Sequence, residues 1–403
     1  MKEGWTYKKL GEVCEIFGRI GFRGYTKADL VDSPNDGAIT LSPSNIVNGE
    51  MDYSKCSYIT WAKYEESPEI MIYPGDILLV KTASVGKTAL VRDLPHKATI
   101  NPQFVVFKNI ETNHDYLSYY MKSEKAQKYI WSIAKGAAAQ TVSQKNLAEM
   151  QVPVPTKAEQ QRIVSRLDAA FAHIDELKAN AEKQLSEARA LFQKALTKAM
   201  KPKEGWKEKE LGDIVFYFSG YAFESKGYTN NNDDVLLICG DNIVHCDFRW
   251  ETIKHWPKEE YEDLKRFSLE ENDIVLAMDR PWVKSGLKIA KVSPKELPSL
   301  LIQRTACIRA PKDISSDFIF YSLQTDKYIK HLVSQQTGVG VPHISGKQIL
   351  SYKISIPNFK EQQRIVSRLD SLSAHVRELE EVTQKTIAEC DALKQALLRK
   401  VFE

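Results

Sequence analysis

Glu159-Gln160-Gln161-Arg162-Ile163-Val164-Ser165-Arg166-Leu167-Asp168 occurs twice in this chain: the same ten residues return from Glu361 to Asp370, an offset of 202 positions. An identity of that length in 403 residues marks a duplication. Solenoid repeats have periods of ~20–50 residues, so the repeated unit is instead a domain-sized half of the chain used twice. The register holds outward from this anchor. Lys2-Glu3-Gly4-Trp5 returns as Lys203-Glu204-Gly205-Trp206, followed by Leu10-Gly11 in one copy and Leu211-Gly212 in the other. Tyr119 faces Tyr321, Gly136 faces Gly338, and Val142-Ser143-Gln144-Lys145 faces Ile344-Ser345-Gly346-Lys347.

The anchor itself reads as helix. Thr156-Lys157-Ala158-Glu159 and Asn358-Phe359-Lys360-Glu361 are capping boxes, with Pro155 and Pro357 stopping any earlier helix. Apolar residues then recur in steps of four and three: Ile163, Leu167, Ala170, Ile174, Leu177, Ala181, then Ala188, Leu191 and Ala195. The second copy gives Ile365, Leu369, Leu372, Val376, Leu379, Leu393 and Leu397. This is a coiled-coil seam, carried on rods of roughly 65 Å at ~1.5 Å per residue. Gln184 and Thr386 interrupt it at matching places, with Thr383 and Cys390 flanking the latter. They read equally as polar seam residues that fix register or as a solvent-facing stretch.

The segments before the helices are mixed α/β. Short apolar runs at 70–73, 77–80, 104–107, 235–238 and 274–277 read as strands, and 116–133 and 318–333 read as helical. The second copy is about three residues longer before its glycine, Gly286 against Gly86. With 56 Lys+Arg against 53 Asp+Glu, the net charge of +3 does not announce nucleic acid. The 27% charged and 43% hydrophobic residues exclude wholesale disorder. There is no apolar run of ~18 residues, the opening Met1-Lys2-Glu3-Gly4-Trp5 does not read as a secretory signal, and six cysteines in a chain of this length do not make a disulfide scaffold. A cytoplasmic home is expected.

Fragments that resemble catalytic motifs are incomplete. Asn101-Pro102-Gln103-Phe104 approaches the Asn-Pro-Pro-Phe/Tyr signature of adenine methyltransferases but lacks the second proline, and Leu301-Ile302-Gln303-Arg304 has lost the motif entirely. Gly86-Lys87-Thr88 has Lys81 where a phosphate-binding loop needs its first glycine, and Gly338-Val339-Gly340 lacks the third glycine of a dinucleotide fingerprint. Cys239, His245, Cys246 and His255 match no zinc spacing. The acid pairs Asp233-Asp234 and Glu259-Glu260 sit in polar stretches. The expected chain has no metal, no cofactor of its own and no catalytic constellation.

Two similar domains separated by two equivalent helices imply pseudo-twofold symmetry. Antiparallel pairing of the helices would suit a ligand with two separated sites, as DNA offers about one helical turn apart, ~34–36 Å. Variable domains each followed by a Gln-Gln-Arg-Ile-Val helix resemble the specificity subunits of type I restriction-modification enzymes. The lead-ins Pro153-Val154-Pro155 and Ile356-Pro357 and the Gly-Trp and Leu-Gly domain starts match too. The resemblance spans essentially the whole chain. It implies an α+β fold: target-recognition domains at 1–154 and 202–356, and helices at 155–201 and 357–403 that form an antiparallel coiled coil. It implies that each domain reads half of a bipartite double-stranded DNA target, and that the helices set the spacer and dock two modification methyltransferase subunits. S-adenosylmethionine and adenine methylation would belong to those partners, with motor/nuclease (restriction/translocase) subunits joining for cleavage. The competing classes are a divergent self-sufficient adenine methyltransferase and a coiled-coil protein adaptor.

Sequence readout needs amide, guanidinium and hydroxyl groups on loops that enter a groove, backed by cations on phosphates. In the first domain the candidates are Arg19, Arg23, Tyr25, Asn45, Lys81, Ser84, Lys87, Lys135, Gln140, Thr141 and Lys145. In the second they are Tyr221, Asn242, Arg280, Trp282, Lys284, Lys288, Gln335, Thr337, His343 and Lys347.

Overall fold

The computed structural model describes residues 4–19, 21–137, 139–283, 286–334 and 342–403, and only the backbone of Phe22. Two compact units emerge: Met1–Glu182 with Thr383–Glu403, and Lys183–Val382. The division passes through the long helices, so each unit includes parts of both.

In the first unit, strands Glu15–Phe17, Ile77–Val80, Thr88–Leu90 and Phe104–Lys108 form an antiparallel sheet with Ile77–Val80 and Phe104–Lys108 in the middle. A second, five-stranded sheet contains one parallel pairing, Gly37–Leu41 with Ala98–Ile100. The apolar run at 77–80 has no polar alternation because both faces are covered. Ile77 and Leu79 enter a core shared with helices, while Leu78 and Val80 enter a core shared with the second sheet. Val105 and Phe107 divide from Phe104 and Val106 in the same way.

The second unit repeats this frame. Phe216–Ser219, Ile274–Ala277, Ile289–Lys291 and Thr305–Arg309 form the antiparallel sheet, and Val235–Ile238 pairs in parallel with Ser299–Leu301. Ile274 and Leu276 face one core, Val275 and Ala277 the other. Each domain closes its own ends with a two-stranded ribbon, Thr6–Lys9 with Gln151–Val154 and Lys207–Glu210 with Lys353–Ile356. The repeated Gly-Trp starts lie just before these ribbons, where Trp5 packs edge-on against Tyr116 and Trp206 against Phe318.

Each stretch expected as one helix is two. His114–Lys122 and Glu124–Ser132 are separated by Ser123, whose extended backbone stops the first while its hydroxyl accepts from Ala126 N and caps the second. Ser316–Ser322 and Asp326–Ser334 are separated similarly, with Thr325 Oγ1 accepting from Tyr328 N at 3.3 Å. Local polar caps overrode the apolar continuity.

The long helices run Lys157–Ala199 and Phe359–Phe402. Their first turns are capped as the sequence suggests: Thr156 Oγ1 accepts from Glu159 N at 3.3 Å and Asn358 Oδ1 from Glu361 N at 3.0 Å. The repeated motif owes much of its identity to packing. Buried Gln160 accepts from Asn113 N at 2.8 Å and donates to Pro155 O at 2.9 Å. Gln362 repeats both bonds with Ser315 N and Pro357 O, at 2.9 and 3.0 Å. Tyr119 donates to Asp168, and Tyr321 to Asp370. Ile163 and Leu167 enter one core beside Leu398 and Phe402; Ile365 and Leu369 enter the other beside Leu196.

The helix segments in each unit are antiparallel. Asp175 pairs with Lys394 and Lys178 with Asp391 in the first, at 2.5 and 3.3 Å, and Arg189 pairs with Glu380 in the second at 2.6 Å. The seam expected from the sequence needs correction. Leu177, Leu191 and Leu393 are exposed, and half-buried Leu185 and Phe192 take the inward positions further along the first helix. Gln184 faces solvent, whereas Thr383 and Cys390, which flank Thr386 on the second helix, are buried. The apolar count alone could not separate positions one residue apart on a helix with small side chains on both flanks.

Candidate nucleic-acid interface

In the first domain, strand Ile77–Val80 leaves the sheet into a loop that carries Lys81, Ser84 and Lys87. Gly86 N donates back to Val80 O at 3.0 Å and Val80 N to Lys87 O at 2.8 Å, which fixes the turn. A second segment clasps this loop: Ala83 N donates to Gln140 O at 3.0 Å and Val142 N to Lys81 O at 2.9 Å. The Thr82 and Thr141 hydroxyls meet at 2.9 Å, and Lys135 and Thr141 exchange backbone bonds. Lys81, Ser84, Lys87, Lys135, Gln140 and Thr141 thus share one polar rim, with exposed Lys145 on the short helix Gln144–Ala148 that follows. Burial pulls the Lys81 ammonium below its ordinary value. Lys81 N also donates to Gln103 O at 2.7 Å, so the turn 101–103 joins the rim.

In the second domain the same clasp recurs with different side chains. Met278 N donates to Arg304 O, Arg280 N to Pro342 O and Ile344 N to Met278 O, each at 2.9 Å. Where the first domain has Thr82 facing Thr141, the second has Asp279 facing His343, whose Nδ1 donates to the carboxylate at 2.5 Å. Gln103 is replaced by Arg304, which pairs with Asp279 at 3.0 Å. The lysine is kept: Lys288 stands at the place of Lys87, buried, and that burial lowers its ammonium pKa against the opposing influence of Asp241. Trp282 is partly buried and pairs with Leu287 in a short antiparallel ladder, and Lys347 is exposed on the short helix Gly346–Leu350. Tyr221 brackets the turn that carries Arg304: its N donates to Leu301 O at 2.8 Å and its O accepts from Gln303 N at 2.7 Å. Lys284, Gln335 and Thr337 lie outside the described residues.

Backbone strain collects on these rims. Among the described residues, positive φ occurs at four positions that are neither glycine nor asparagine. Three are Ala83 (67°), Arg280 (45°) and Arg304 (64°). Such conformations persist only where surrounding bonds hold them, and they concentrate at functional sites.

Three expected contacts are corrected to interior roles. Arg19 is buried, donating Nε to Ile100 O at 3.1 Å, Nη1 to Arg23 O at 3.3 Å and Nη2 to Thr99 Oγ1 at 3.1 Å, with its charge over the Tyr25 ring. Burial lowers its pKa. Arg23 pairs with Glu69 at 3.4 Å, and Tyr25 OH accepts from Thr40 at 3.1 Å. Asn45 is a bracket: its Oδ1 accepts from Ser42 N at 2.9 Å and its Nδ2 donates to Asp52 O and Lys55 O at 3.0 Å. Asn242 makes the matching set, with Cys239 N, Arg249 O and Thr252 O all at 3.1 Å. An exposed amide and a buried turn-closing amide look alike in sequence. Asn242→Ala should therefore lower stability by about 1–3 kcal/mol in urea unfolding, by stranding buried backbone groups, and leave base preference unchanged. A relaxed base preference at unchanged stability would return Asn242 to the contact set.

The sequence reading passed over Asp279, Arg304 and Gln103. The signal was the strand register: Phe104 and Thr305 open equivalent strands, so the residues before them are equivalent. Among the described residues, no group of three or more His, Cys, Asp or Glu side chains is placed to hold a metal ion, and no helix is long and apolar enough to cross a membrane.

The rims lie on a frame shared with known proteins. The model of the type I restriction modification DNA specificity domain matches residues 2–187 and again 203–389. The chain belongs to this family. It is 26% identical over 386 residues to the Methanocaldococcus jannaschii type I restriction enzyme MjaVIII specificity subunit, covering 92% of this chain and 86% of that one. The Escherichia coli K12 EcoKI specificity subunit is 24% identical over 100% of this chain and 89% of its own length. A more local match, 36% over 170 residues, reaches the Escherichia coli EcoAI specificity subunit but covers 28% of it. A solved chain from a study of complex assembly in the type I R-M system has the same fold, with a TM-score of 0.72 at 19% identity over 100% of this chain and 98% of that one. The chain is thus a type I specificity subunit, a recognition subunit and not a catalytic one.

Proposed function

We propose that each recognition domain reads one half of a bipartite double-stranded DNA target, and that the paired helices set the spacer and dock two modification methyltransferase subunits. Restriction/translocase subunits complete the assembly, which works in the cytoplasm on genomic DNA. S-adenosylmethionine and methyl transfer belong to the methyltransferase partners. The observation that carries this reading is the rim. Both domains keep the same backbone clasp, yet Thr82, Thr141 and Gln103 stand in one where Asp279, His343 and Arg304 stand in the other. A frame held constant under variable donors and acceptors suits two readers of different sequences. The net charge of +3 fits a subunit whose partners supply much of the phosphate attraction.

The test is to map methylated adenine genome-wide in cells with and without this chain. Removing it should abolish methylation at one motif composed of two fixed halves around a fixed spacer. A contiguous motif, or an unchanged methylation pattern, would overturn the reading. S-adenosylmethionine retained by the isolated chain would overturn the assignment of the chemistry to its partners.

A further inference from the structure

The geometry points to Arg304 as the side chain that reads a guanine in the half-site bound by the second domain, with Asp279 as its positioning residue. This rests on the proposal above that the domain binds one half of a DNA target. Arg304 has 63% of its side chain exposed, yet it does not hang loosely. Its Nη1 is held to both Asp279 carboxylate oxygens, at 3.0 and 3.3 Å. Asp279 is held in turn by His343 Nδ1, and its segment by the flanking backbone bonds Arg280 N to Pro342 O and Ile344 N to Met278 O. The Arg304 carbonyl is fixed by Met278 N, with the backbone at φ 64°.

Two features separate this arrangement from an ordinary surface ion pair. Exposed pairs contribute little to stability, so the fold gains little from placing an arginine in a left-handed backbone conformation to make one. The pairing also leaves a particular edge available. Among the described residues no acceptor takes Arg304 Nε or Nη2, and these two parallel donors match guanine O6 and N7 in the major groove.

The carboxylate argues for a base and against a phosphate. An arginine neutralised by Asp279 loses much of its attraction for the DNA backbone, but it keeps donors whose direction is now fixed. The equivalent residue in the first domain, Gln103, is uncharged, and its Oε1 accepts from Asn101 Nδ2 at 3.0 Å. The two half-sites are therefore read by different chemistry at this shared position.

The experiment selects bound sequences from randomised DNA, using the full chain assembled with its methyltransferase subunits. Arg304→Gln should reduce discrimination for guanine about tenfold to a hundredfold at one position of one half-site, with every other position and the thermal midpoint unchanged. Asp279→Asn should relax that same position to a lesser degree, again at an unchanged midpoint, which a purely structural residue would not do. Loss of affinity spread evenly over all sequences would make Arg304 a phosphate contact and overturn the inference. Retention of guanine at every position by Arg304→Gln would overturn it as well. If the unmodified assembly selects no bipartite sequence, the parent reading has failed and this one with it.

Discussion

Leu369→Ala is expected to lower the unfolding free energy of the second unit by about 2–5 kcal/mol, the range for removing a large aliphatic side chain from a packed core. Leu369 is fully buried on the second long helix, in the cluster that holds Ile365, Leu196, Phe318 and Tyr321. About two turns earlier Gln362 ties the helix to Ser315 and Pro357, and the adjacent Asp370 takes the Tyr321 hydroxyl. The cavity would lie amid rigid neighbours that cannot collapse into it, which favours the upper part of the range. Urea unfolding followed by hydrogen exchange separates the units, and residues of the first should be unaffected. A loss below about 1 kcal/mol would mean that the helix lies against the domain without sharing its core. Leu167→Ala should do the same in the first unit, where Leu167 occupies the matching place.

The second large effect concerns the spacer. Insertion of seven residues after Glu182 in the first helix and after Thr386 in the second keeps the antiparallel register of Asp175 with Lys394, Lys178 with Asp391 and Arg189 with Glu380. It adds about 10 Å of helix, or about three base pairs at ~3.4 Å each. The native target should be lost, and any target that remains should carry a longer spacer. The same insertion in one helix alone breaks the register and should abolish recognition. Methylated motifs read from cells carrying each variant provide the measurement, and an unaltered native spacer in the doubly extended chain would sink the role of the helices as a ruler.

The duplication and the helices were legible because the repeat is literal. Gln160 with Gln362, Leu167 with Leu369 and Asp168 with Asp370 are buried or bonded identically, so packing fixed their identity in both copies. The inner strands were equally plain, since a strand covered on both faces must be apolar throughout. The break at Ser123 was not, because a serine inside an apolar pattern reads as a solvent position until its capping bond is seen. The interface was the least legible part. Arg19, Asn45 and Asn242 were chosen for donors that fold inward to satisfy backbone groups. Arg304 was passed over because its importance lies in a partner 25 residues away in the chain. Side-chain chemistry can be read from a sequence, but the direction in which a side chain points cannot.

The make-up of the first unit has a consequence for inheritance. That unit consists of Met1–Glu182 completed by Thr383–Glu403. If recombination fused the two copies of the ten-residue motif into one, deleting 202 residues, the product would keep one recognition domain and a single fused helix that continues through 371–403. Each such half-length molecule would lack a helical complement for its own domain and carry one for a neighbour's. Two of them would assemble head to tail as a symmetric pair, and their preferred target would become a palindrome. One crossover would thereby exchange an asymmetric address for a symmetric one, with the retained domain unchanged in sequence.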